Sequence, residues 1–392
     1  MGELRFGTIG TSMICDNFCH ALEEVSGARL SVVFSRHEDT ARAFAEAHGA
    51  DAFVTSTEAL AARDDVDAVY VASPNALHFS QALELVRAGK HVLVEKPVCA
   101  NERQAAELFS AAKEAGVVAM EAMRSIHNPD VGAIRELLGR IGTLRRATLR
   151  YGKYSSRYDD LLGGAHTNIF DTRMASGALM DIGIYSAGML AYLFGRPSRV
   201  VSAVVPLPAG TEGLTNGALD ACGVGLGVYE DADGRPTHVV DFGWTKVAKD
   251  ELPNQIEGEA ATILYGTMDK PREGHVTWRG TAVRNAGAGA ATSVGDRVEE
   301  LEFHPVANDM VYELRDFVRL VADGAGAAAG LEAAGSGAAA GASAAAAGAS
   351  AAAGASAAAA ELARWQRVSL DELFVTDQIR AQAGIMFPAD ER

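Results

Sequence analysis

Short apolar runs alternate with helical stretches between Leu4 and Met120, and this alternation limits the fold more than any other feature of the chain. The apolar runs, interpreted as strands, cover residues 4–9, 30–34, 52–54, 68–72, 92–95 and 117–120, with a helical pattern between successive runs. Repeated strand-helix units at this spacing indicate a parallel sheet with helices on both faces. We therefore predict an α/β fold that begins with a doubly wound, nucleotide-binding domain.

The rest of the chain has a different pattern. Longer β runs at 144–154, 199–205, 237–247, 255–265 and 275–278 are separated by few helices. This pattern indicates a mostly antiparallel sheet with one apolar face against helices, and 392 residues suffice for two domains. We predict a dinucleotide-binding domain at 1–123 and a C-terminal α+β substrate and oligomerisation domain at 124–323 and 361–392.

Residues 324–360, between those last two pieces, are almost entirely Ala, Gly and Ser. A Gly-Ala-Ser triplet followed by alanines recurs at 341, 348 and 354. Side chains of this kind cannot bury against a core, so we expect a mobile insert whose alanine runs form helix only transiently. The composition favours no function for it.

The formal net charge of −16 argues against nucleic acid and anionic membrane as partners, because both require a basic face. We find no run of about 18 apolar residues to span a bilayer, and the first strand begins almost at Met1, which leaves no room for a signal peptide. We therefore expect a cytoplasmic protein with a small-molecule substrate. Cys15, Cys19, Cys99 and Cys222 have neither disulfide nor metal-ligand spacing, so reduced thiols and no metal site are expected.

The turn after the first strand is a candidate cofactor site. Gly10 follows the strand and a helical stretch begins within a few residues, which is the context that a dinucleotide fingerprint requires. Ser12 and Cys15 stand where the second and third glycines of that fingerprint would be. The motif alone is weak, but a serine still allows close approach and can bond a phosphate at a helix N-terminus.

The end of the second strand bears on cofactor choice. It reads Ser35-Arg36-His37, without the acidic residue that binds the ribose hydroxyl of NAD. An arginine here suits the 2′-phosphate of NADP, so we predict NADP preference with NAD still possible. The alternative is a solvated arginine at the start of the next helix.

The strand at 92–95 ends in Glu95, Lys96 and Pro97. Proline cannot donate to a sheet and biases the preceding residue toward extended backbone, so the strand should stop with Lys96 at its mouth. Ligands of open α/β sheets bind beyond the carboxyl ends of strands. Lys96 is therefore a candidate site residue, although an isolated lysine at a strand end is more often an ordinary surface residue.

Taken together, these motifs resemble the glucose-fructose oxidoreductase, inositol dehydrogenase and MocA family of NAD(P)-dependent oxidoreductases. The resemblance rests on Ser73-Pro74-Asn75, His78 and the run from Gly89 to Pro97. It implies a Rossmann domain paired with an open-faced sheet domain, whose free face joins subunits into a dimer or tetramer. The predicted cofactor-binding residues are Gly10, Ser12, Met13, Ile14, Ser35, Arg36, Ser73, Pro74, Asn75, His78, Glu95, Lys96 and Arg124.

A second motif, from Asp181 to Tyr185, follows a glycine-rich turn and opens a helix predicted to reach Phe194. Residues four apart share one face of a helix, and such a pair is usually structural. The motif resembles the Asp-x-Gly-x-His or Asp-x-Gly-x-Tyr pattern of the family. Its tyrosine is similar to that of glucose-fructose oxidoreductase, dimeric dihydrodiol dehydrogenase and sugar 1-dehydrogenases, whereas inositol dehydrogenases carry histidine.

The resemblance implies catalytic roles for Lys96, Asp181 and Tyr185. Hydride transfer at a carbon requires a proton to move on the attached oxygen. We assign that proton to Tyr185, because a nearby Lys96 ammonium would favour the phenolate. Asp181 would orient the lysine or a substrate hydroxyl, and Glu95 would secure the strand end.

Polar residues early in the second domain are candidates for the substrate pocket. The predicted substrate residues are Lys96, Tyr154, Arg157, Asn168, Asp181 and Tyr185, with Arg124, Lys153, Ser156, Tyr158 and His166 as further candidates. Their polarity suits a sugar-like substrate, although a strand edge of this composition is often only solvated. We predict an oxidoreductase that moves hydride to or from a sugar, polyol or diol and its carbonyl form.

Two alternative functions remain open. A non-catalytic, cofactor-binding regulator would be expected to lose the reactive groups, which this chain retains. A redox-neutral glycosidase or lyase with tightly bound NAD is disfavoured by Arg36.

Overall fold

The computed structural model describes residues 2–284, 291–334 and 345–391. The first domain contains a six-stranded parallel sheet in the order β3-β2-β1-β4-β5-β6. Its strands are β1 (Leu4–Ile9), β2 (Ala28–Phe34), β3 (Ala52–Val54), β4 (Ala68–Val71), β5 (His91–Glu95) and β6 (Ala119–Ala122). This order confirms the predicted doubly wound sheet, in which the strand order reverses between β1 and β4.

Helices connect the successive strands of this sheet. They are α1 (Met13–Glu23), α2 (Glu38–Ala47), α3 (Thr57–Ala61), α4 (Asn75–Arg87) and α5 (Glu102–Ala115). Three aromatic rings anchor the core: Phe18 of α1 stacks on Tyr70 at 3.9 Å between centroids and meets Phe6 edge-on at 5.5 Å. These contacts hold the first helix, and with it the turn at Gly10, rigidly on the sheet.

The second sheet has eight strands in the order β16-β13-β12-β11-β7-β10-β9-β8. Its strands are β7 (Leu144–Gly152), β8 (Arg199–Pro206), β9 (Asp220–Glu230), β10 (Pro236–Thr245), β11 (Asn254–Gly258), β12 (Ala261–Tyr265), β13 (Gly274–Trp278) and β16 (Arg297–Glu300). A separate hairpin pairs β14 (Thr281–Arg284) with β15 (Ala291–Val294). All pairs in the large sheet are antiparallel except β7 with β10, which confirms a mostly antiparallel sheet.

Strand β9 was missing from the sequence prediction because glycines interrupt its apolar pattern. The structure explains these glycines by the aromatic residues opposite them: Trp244 pairs with Gly223, and Phe242 pairs with Gly225. A Cβ at either glycine would overlap the facing ring. The predicted single run at 255–265 was also wrong, since it is the two strands β11 and β12.

The two faces of the large sheet differ in character. Ala147, Leu149, Val240, Phe242, Ile256 and Ile263 are buried on one face, against which α9 packs. On the other face Arg146 pairs with Glu257 and Thr148 bonds to Asp241, and the end formed by β8 and β9 exposes valines. The sheet is therefore open-faced, as the resemblance implied.

The second domain also contains helices. They are α6 (Arg124–His127), α7 (Pro129–Leu137), α8 (Ser156–Leu162), α9 (Ile184–Phe194), α10 (Glu212–Thr215), α11 (Met310–Ala322), α12 (Ala325–Ala334) and α13 (Ala345–Ala383). By length and mean hydropathy alone, the helical segment Thr172–Phe194 could cross a membrane. Since 89% of it is buried inside the protein, it has the position of a core helix.

The Ala/Gly/Ser insert is more ordered at its ends than its composition suggested. Ala325 is fully buried, and a Cβ on Gly326 would lie 2.6 Å from the Val117 carbonyl carbon. Helix α13 begins at Ala345 and runs without interruption into the C-terminal part of the chain. The expected mobile insert is therefore wrong for these parts, whereas residues 335–344 lie outside the described residues.

Helix α13 connects the two domains through a buried pair of carboxyl groups. Glu372 of α13 is fully buried, and one oxygen of Glu121 in β6 accepts from the Val98 amide at 2.7 Å. Burial raises the pKa of both groups, and the neighbouring Glu121 carboxyl raises that of Glu372 further. Glu372 is therefore held in its neutral form well above the pH at which an exposed carboxyl ionises.

We predict that Glu372→Gln makes the protein more stable than wild type at alkaline pH. A carboxyl whose pKa is raised by folding stabilises the protein fully below its unfolded pKa, and this stabilisation is lost as pH rises toward the folded pKa, by about 1.4 kcal/mol per pH unit. Glutamine has no such loss. Thermal unfolding of both proteins from about pH 5 to about pH 9 measures the difference.

The matched control is Glu46→Gln, on the exposed side of α2. It should follow the wild-type pH profile. Parallel profiles for Glu372→Gln and wild type would contradict a neutral, buried Glu372.

Candidate active site

A cavity of about 530 Å³ opens at the carboxyl ends of β1, β2 and β4. It lies at the reversal of strand order, where open α/β sheets bind their ligands. Several of the predicted cofactor-binding residues line it, namely Gly10, Ser12, Ser35, Arg36, Ser73 and Pro74. The cavity is therefore the candidate dinucleotide site.

The turn at Gly10 has no room for a side chain. Its φ is +117°, and a Cβ there would lie 2.9 Å from both the Ala72 carbonyl oxygen and the Cys15 sulfur. Ser12 is the N-cap of α1, but its side chain does not cap the helix, so the first amides are left for an anion. Met13 and Ile14 form the first turn, with Met13 exposed. These features fit a bound dinucleotide.

The remaining cofactor candidates of this domain lie around the cavity. His78 is buried, with its ring nitrogens 2.8 Å from the Ser73 carbonyl oxygen and 2.9 Å from that of Pro97. It therefore supports the two loops from behind, and its predicted contact with the cofactor stays a prediction. Asn75 donates to the Ala175 carbonyl oxygen at 3.0 Å and so joins the two domains beside the cavity.

Glu95 is committed to structural contacts. Its carboxyl accepts from the Tyr70 hydroxyl at 2.6 Å and from the Lys96 amide at 3.2 Å. Burial raises its pKa, although Lys96 and the Tyr70 hydroxyl oppose this. These contacts fit the predicted role of securing the strand end.

Lys96 meets the second domain at Asp181 and Tyr185. Its ammonium donates to the Asp181 carboxylate at 3.1 Å and to the Asp181 carbonyl oxygen at 3.0 Å. The same nitrogen lies 5.1 Å from the centre of the Tyr185 ring. The structure thus brings the three predicted catalytic residues together at the mouth of β5.

A second lysine, which the sequence interpretation missed, lies on the same carboxylate. Lys246 follows β10 and contacts the other oxygen of Asp181. Burial opposes ionisation of Asp181, but Lys96 and Lys246 outweigh it and lower the pKa of Asp181 to about 2. The only sequence signal was a lysine at the end of the predicted strand at 237–247, and no motif marked it.

The segment that carries Asp181 is a π turn, Leu179–Gly183, followed by α9. The sequence pattern had predicted a single regular helix. A buried carboxylate, Asp220, accepts from the Leu179 amide at 2.6 Å and from the Trp244 indole at 2.7 Å. Burial raises the pKa of Asp220 to about 6 against these hydrogen bonds. Asp220 thus holds the start of the segment on the sheet, and π turns of this kind are frequent at functional sites.

Tyr185 is placed beside two cations and another phenol, that of Tyr151. The Arg124 guanidinium carbon is 5.9 Å from its ring centre, and the Tyr151 ring packs edge-on at 5.2 Å. Burial raises the pKa of Tyr185, and the charges of Lys96 and Arg124 partly offset this. The prediction that the lysine favours the phenolate has the right sign, but burial exceeds it, so the resting hydroxyl is protonated at neutral pH.

Arg124 is held by carboxylates near Tyr185. It lies 3.1 Å from Asp309 and 3.5 Å from Asp269, and Asp269 also accepts from the Tyr151 hydroxyl at 3.0 Å. Lys270 completes the group at 3.2 Å from Asp309. Arg124, predicted from sequence as a cofactor contact, therefore belongs to the wall beside Tyr185.

Other predicted substrate residues lie on exposed segments. Tyr154 bonds to Asp159 at 2.5 Å, Arg157 pairs with Asp160 at 3.2 Å, and Asn168 is exposed at the start of a short 3₁₀ helix. Since the Ser155 amide donates to the Lys246 carbonyl oxygen at 3.1 Å, Tyr154 runs alongside the site.

The other pocket candidates have similar positions. His166 bonds to the buried Asp171 at 2.7 Å. Lys153 and Ser156 are exposed, and Tyr158 packs on the Phe170 ring at 6.3 Å. Their part in substrate binding stays a prediction.

Residues 4–123 match the "Oxidoreductase family, NAD-binding Rossmann fold", and residues 133–245 match the "GFO/IDH/MocA C-terminal domain". The scyllo-inositol 2-dehydrogenase (NADP(+)) IolU of Bacillus subtilis is 34% identical over 82% of this chain and 89% of its own. The uncharacterized oxidoreductase YgjR of Escherichia coli is 31% identical over 81% of this chain and 88% of its own.

The fold also matches a solved structure. A mutant 3-ketoreductase from Actinomadura kijaniata, in complex with TDP-benzene and NADP, has a TM-score of 0.68 at 21% identity, over 97% of this chain and 98% of the other. The predicted family and fold class are confirmed. The chain belongs to the GFO/IDH/MocA family and is an NAD(P)-dependent oxidoreductase.

Proposed function

We propose that this oxidoreductase prefers NADP and moves hydride between the cofactor and a sugar, polyol or diol, or its carbonyl form. One observation carries the proposal. The ammonium nitrogen of Lys96, in the cofactor domain, lies 5.1 Å from the ring centre of Tyr185, in the other domain. At the carboxyl end of β5, the amine of Lys96 can donate a hydrogen bond to a substrate oxygen, and the phenol of Tyr185 can carry the proton for the same oxygen.

The proposed NADP preference rests on the end of β2. Ser35 and Arg36 line the cavity there, and an arginine in this position accommodates a 2′-phosphate. A relative at 34% identity is named as an NADP-dependent dehydrogenase, as is a D-xylose 1-dehydrogenase of Haloferax volcanii at 28%. A charge-assisted contact to the extra phosphate would favour NADP over NAD.

In the proposed mechanism, the bound nicotinamide supplies or accepts the hydride. Lys96 donates a hydrogen bond to the reacting oxygen of the substrate. The protonated Tyr185 hydroxyl donates its proton to that oxygen in reduction, and takes it back in oxidation. Asp181 fixes the lysine through two hydrogen bonds, one to its carboxylate and one to its carbonyl oxygen.

The proposed substrate class rests on the polar wall and on the relatives. Arg124, Tyr151 and Asp269 offer donors and acceptors beside Tyr185, which suits a substrate with several hydroxyl groups. The relatives are named for scyllo-inositol, xylose and keto sugars. The cytoplasmic location expected from the sequence stays a prediction.

A panel of sugars, polyols and diols, with their keto forms, followed by NADPH absorbance tests the proposal. We expect turnover of at least one member, and we expect Tyr185→Phe to lower kcat by roughly 100-fold or more while keeping NADP affinity, because only the proton carrier is lost. Unchanged turnover in this variant would refute the role of Tyr185. A bound cofactor with no redox change on any compound would refute the oxidoreductase proposal itself.

Cofactor preference is tested at Arg36. We predict that Arg36→Ala weakens NADP binding by roughly 10-fold or more and leaves NAD binding nearly unchanged, because only NADP has the phosphate that the guanidinium would bind. Arg42→Ala is the matched control, since Arg42 is exposed and packs on Phe53 outside the cavity lining. Fluorescence titration with each nucleotide gives both affinities, and equal weakening would contradict the assignment.

We also propose that the open sheet face joins subunits into a homo-oligomer. Val201 of β8 and Val224 of β9 are 48% and 52% exposed on that face. Apolar side chains next to one another on a sheet end are typical of an interface. On the same face, beyond β10, the charged pair of Arg146 and Glu257 supplies polar groups for a second copy.

We predict that Val224→Lys separates the subunits, because it would bury a charge against the second copy. Sedimentation velocity should show a dimer or tetramer for wild type and a smaller species for the variant. Leu162→Lys is the control: Leu162 is 55% exposed on helix α8, which is not a strand of the sheet, and its substitution should leave the assembly unchanged. A monomeric wild type would refute this interface.

A further inference from the structure

Lys246 lies behind the catalytic group rather than in its opening. Its side chain is 7% exposed, whereas those of Lys96 and Asp181 are 15% and 20% exposed. Its ammonium contacts one Asp181 oxygen, and Lys96 bonds to the other. The most buried of the three groups is therefore the one least able to reach a substrate.

The charges of these three groups do not cancel. Two ammonium groups on one carboxylate leave a net charge of about +1, and the pKa of Asp181, lowered to about 2, keeps the carboxylate ionised throughout the working range. Without Lys246, the negative charge of Asp181 would cancel the positive charge of Lys96. The Lys96 ammonium would then have little net effect on a group several ångströms away.

Tyr185 is the group on which this charge acts. Lys96 faces its ring from the residue after β5, Arg124 faces it from α6, and Tyr151 of β7 packs on its edge. The negative charges of Glu95 and Asp181 raise the pKa of Tyr185, whereas the positive charges of Lys96 and Arg124 lower it.

The cation from α6 is already compensated. Asp269 and Asp309 lie within 3.5 Å and 3.1 Å of Arg124, and Lys270 shares Asp309. The net charge that acts on Tyr185 therefore depends on whether the Asp181 carboxylate cancels the charge of Lys96 or is itself neutralised by Lys246.

We propose that Lys246 is a positioning residue that neutralises Asp181 from behind, so that the Lys96 charge acts on Tyr185. This inference rests on the proposed function, since it assumes that Tyr185 carries the proton. It gives the buried lysine after β10 a role in setting the pH at which the enzyme works.

The test compares Lys246→Met, which removes the charge at similar length, with Lys246→Arg, which keeps it. In the oxidation direction, the rate rises with pH as Tyr185 loses its proton. A unit charge several ångströms away, at an effective dielectric constant of about 20, changes a pKa by about one unit or more. We expect the rising limb of kcat against pH to move up by about one pH unit in Lys246→Met and to stay near wild type in Lys246→Arg.

A merely structural role would give a different result. Lys246→Met would then lower kcat by the same factor at every pH, and an unshifted profile would overturn the proposal. An equal shift in Lys246→Arg would also overturn it, because charge would not be the cause. NADP affinity, measured by fluorescence, should be unchanged in both variants and serves as the check on folding.

A second readout needs no turnover and so separates this inference from the proposed function. Ionisation of Tyr185 is followed by near-ultraviolet difference absorbance in the NADP complex, with the Tyr185→Phe protein subtracted at each pH. We expect Tyr185 to ionise at higher pH in Lys246→Met. If no compound is turned over but this shift is seen, the proposed function fails and the electrostatic inference holds. If turnover is found without a shift, the inference fails alone.

Discussion

The ion pair between Lys96 and Asp181 is the interaction on which the site depends. The lysine comes from the first sheet and the aspartate from the segment before α9, so the pair exists only when the two domains are packed together. A charged group that is largely removed from water is costly unless it is paired and hydrogen-bonded. The paired charges therefore make the assembled site and the assembled protein dependent on each other.

The surroundings of Asp181 show how the second sheet meets that requirement. Gly223 leaves room for the Trp244 ring, and Trp244 in turn donates to Asp220, which holds the Leu179 amide. This series of contacts leads from Gly223 in β9 to the segment that carries Asp181. Glycines such as Gly223 weaken β9 as a strand, but they are needed to hold the π turn in place. The packing of the aromatic rings against them offsets the lost strand stability.

The sequence predicted the fold of the first domain well, and it singled out Lys96, Asp181 and Tyr185, which the structure brings together, for physical reasons. Parallel strands bury both faces and read as clear apolar runs, and Lys96 lies next to a proline that marks a strand end. Lys246 could not be predicted, because its partner Asp181 is distant in sequence and no local pattern records a tertiary ion pair. The glycine-rich β9 and the helical ends of the insert were missed because propensity describes single segments, whereas packing against Trp244 and Val117 decided both.

His78 has a consequence for how the site meets its cofactor. Its ring lies between the Ser73 carbonyl oxygen, on the loop after β4, and that of Pro97, directly after Lys96. Burial lowers the pKa of His78, so the ring is neutral, and its single N–H donates to one of the two carbonyl oxygens at a time. The loop that lines the nucleotide cavity and the loop that carries the amine are thereby fastened in advance of any ligand. The two loops therefore need little rearrangement when the cofactor binds. Binding energy can then be used to orient the cofactor and substrate rather than to rebuild the pocket.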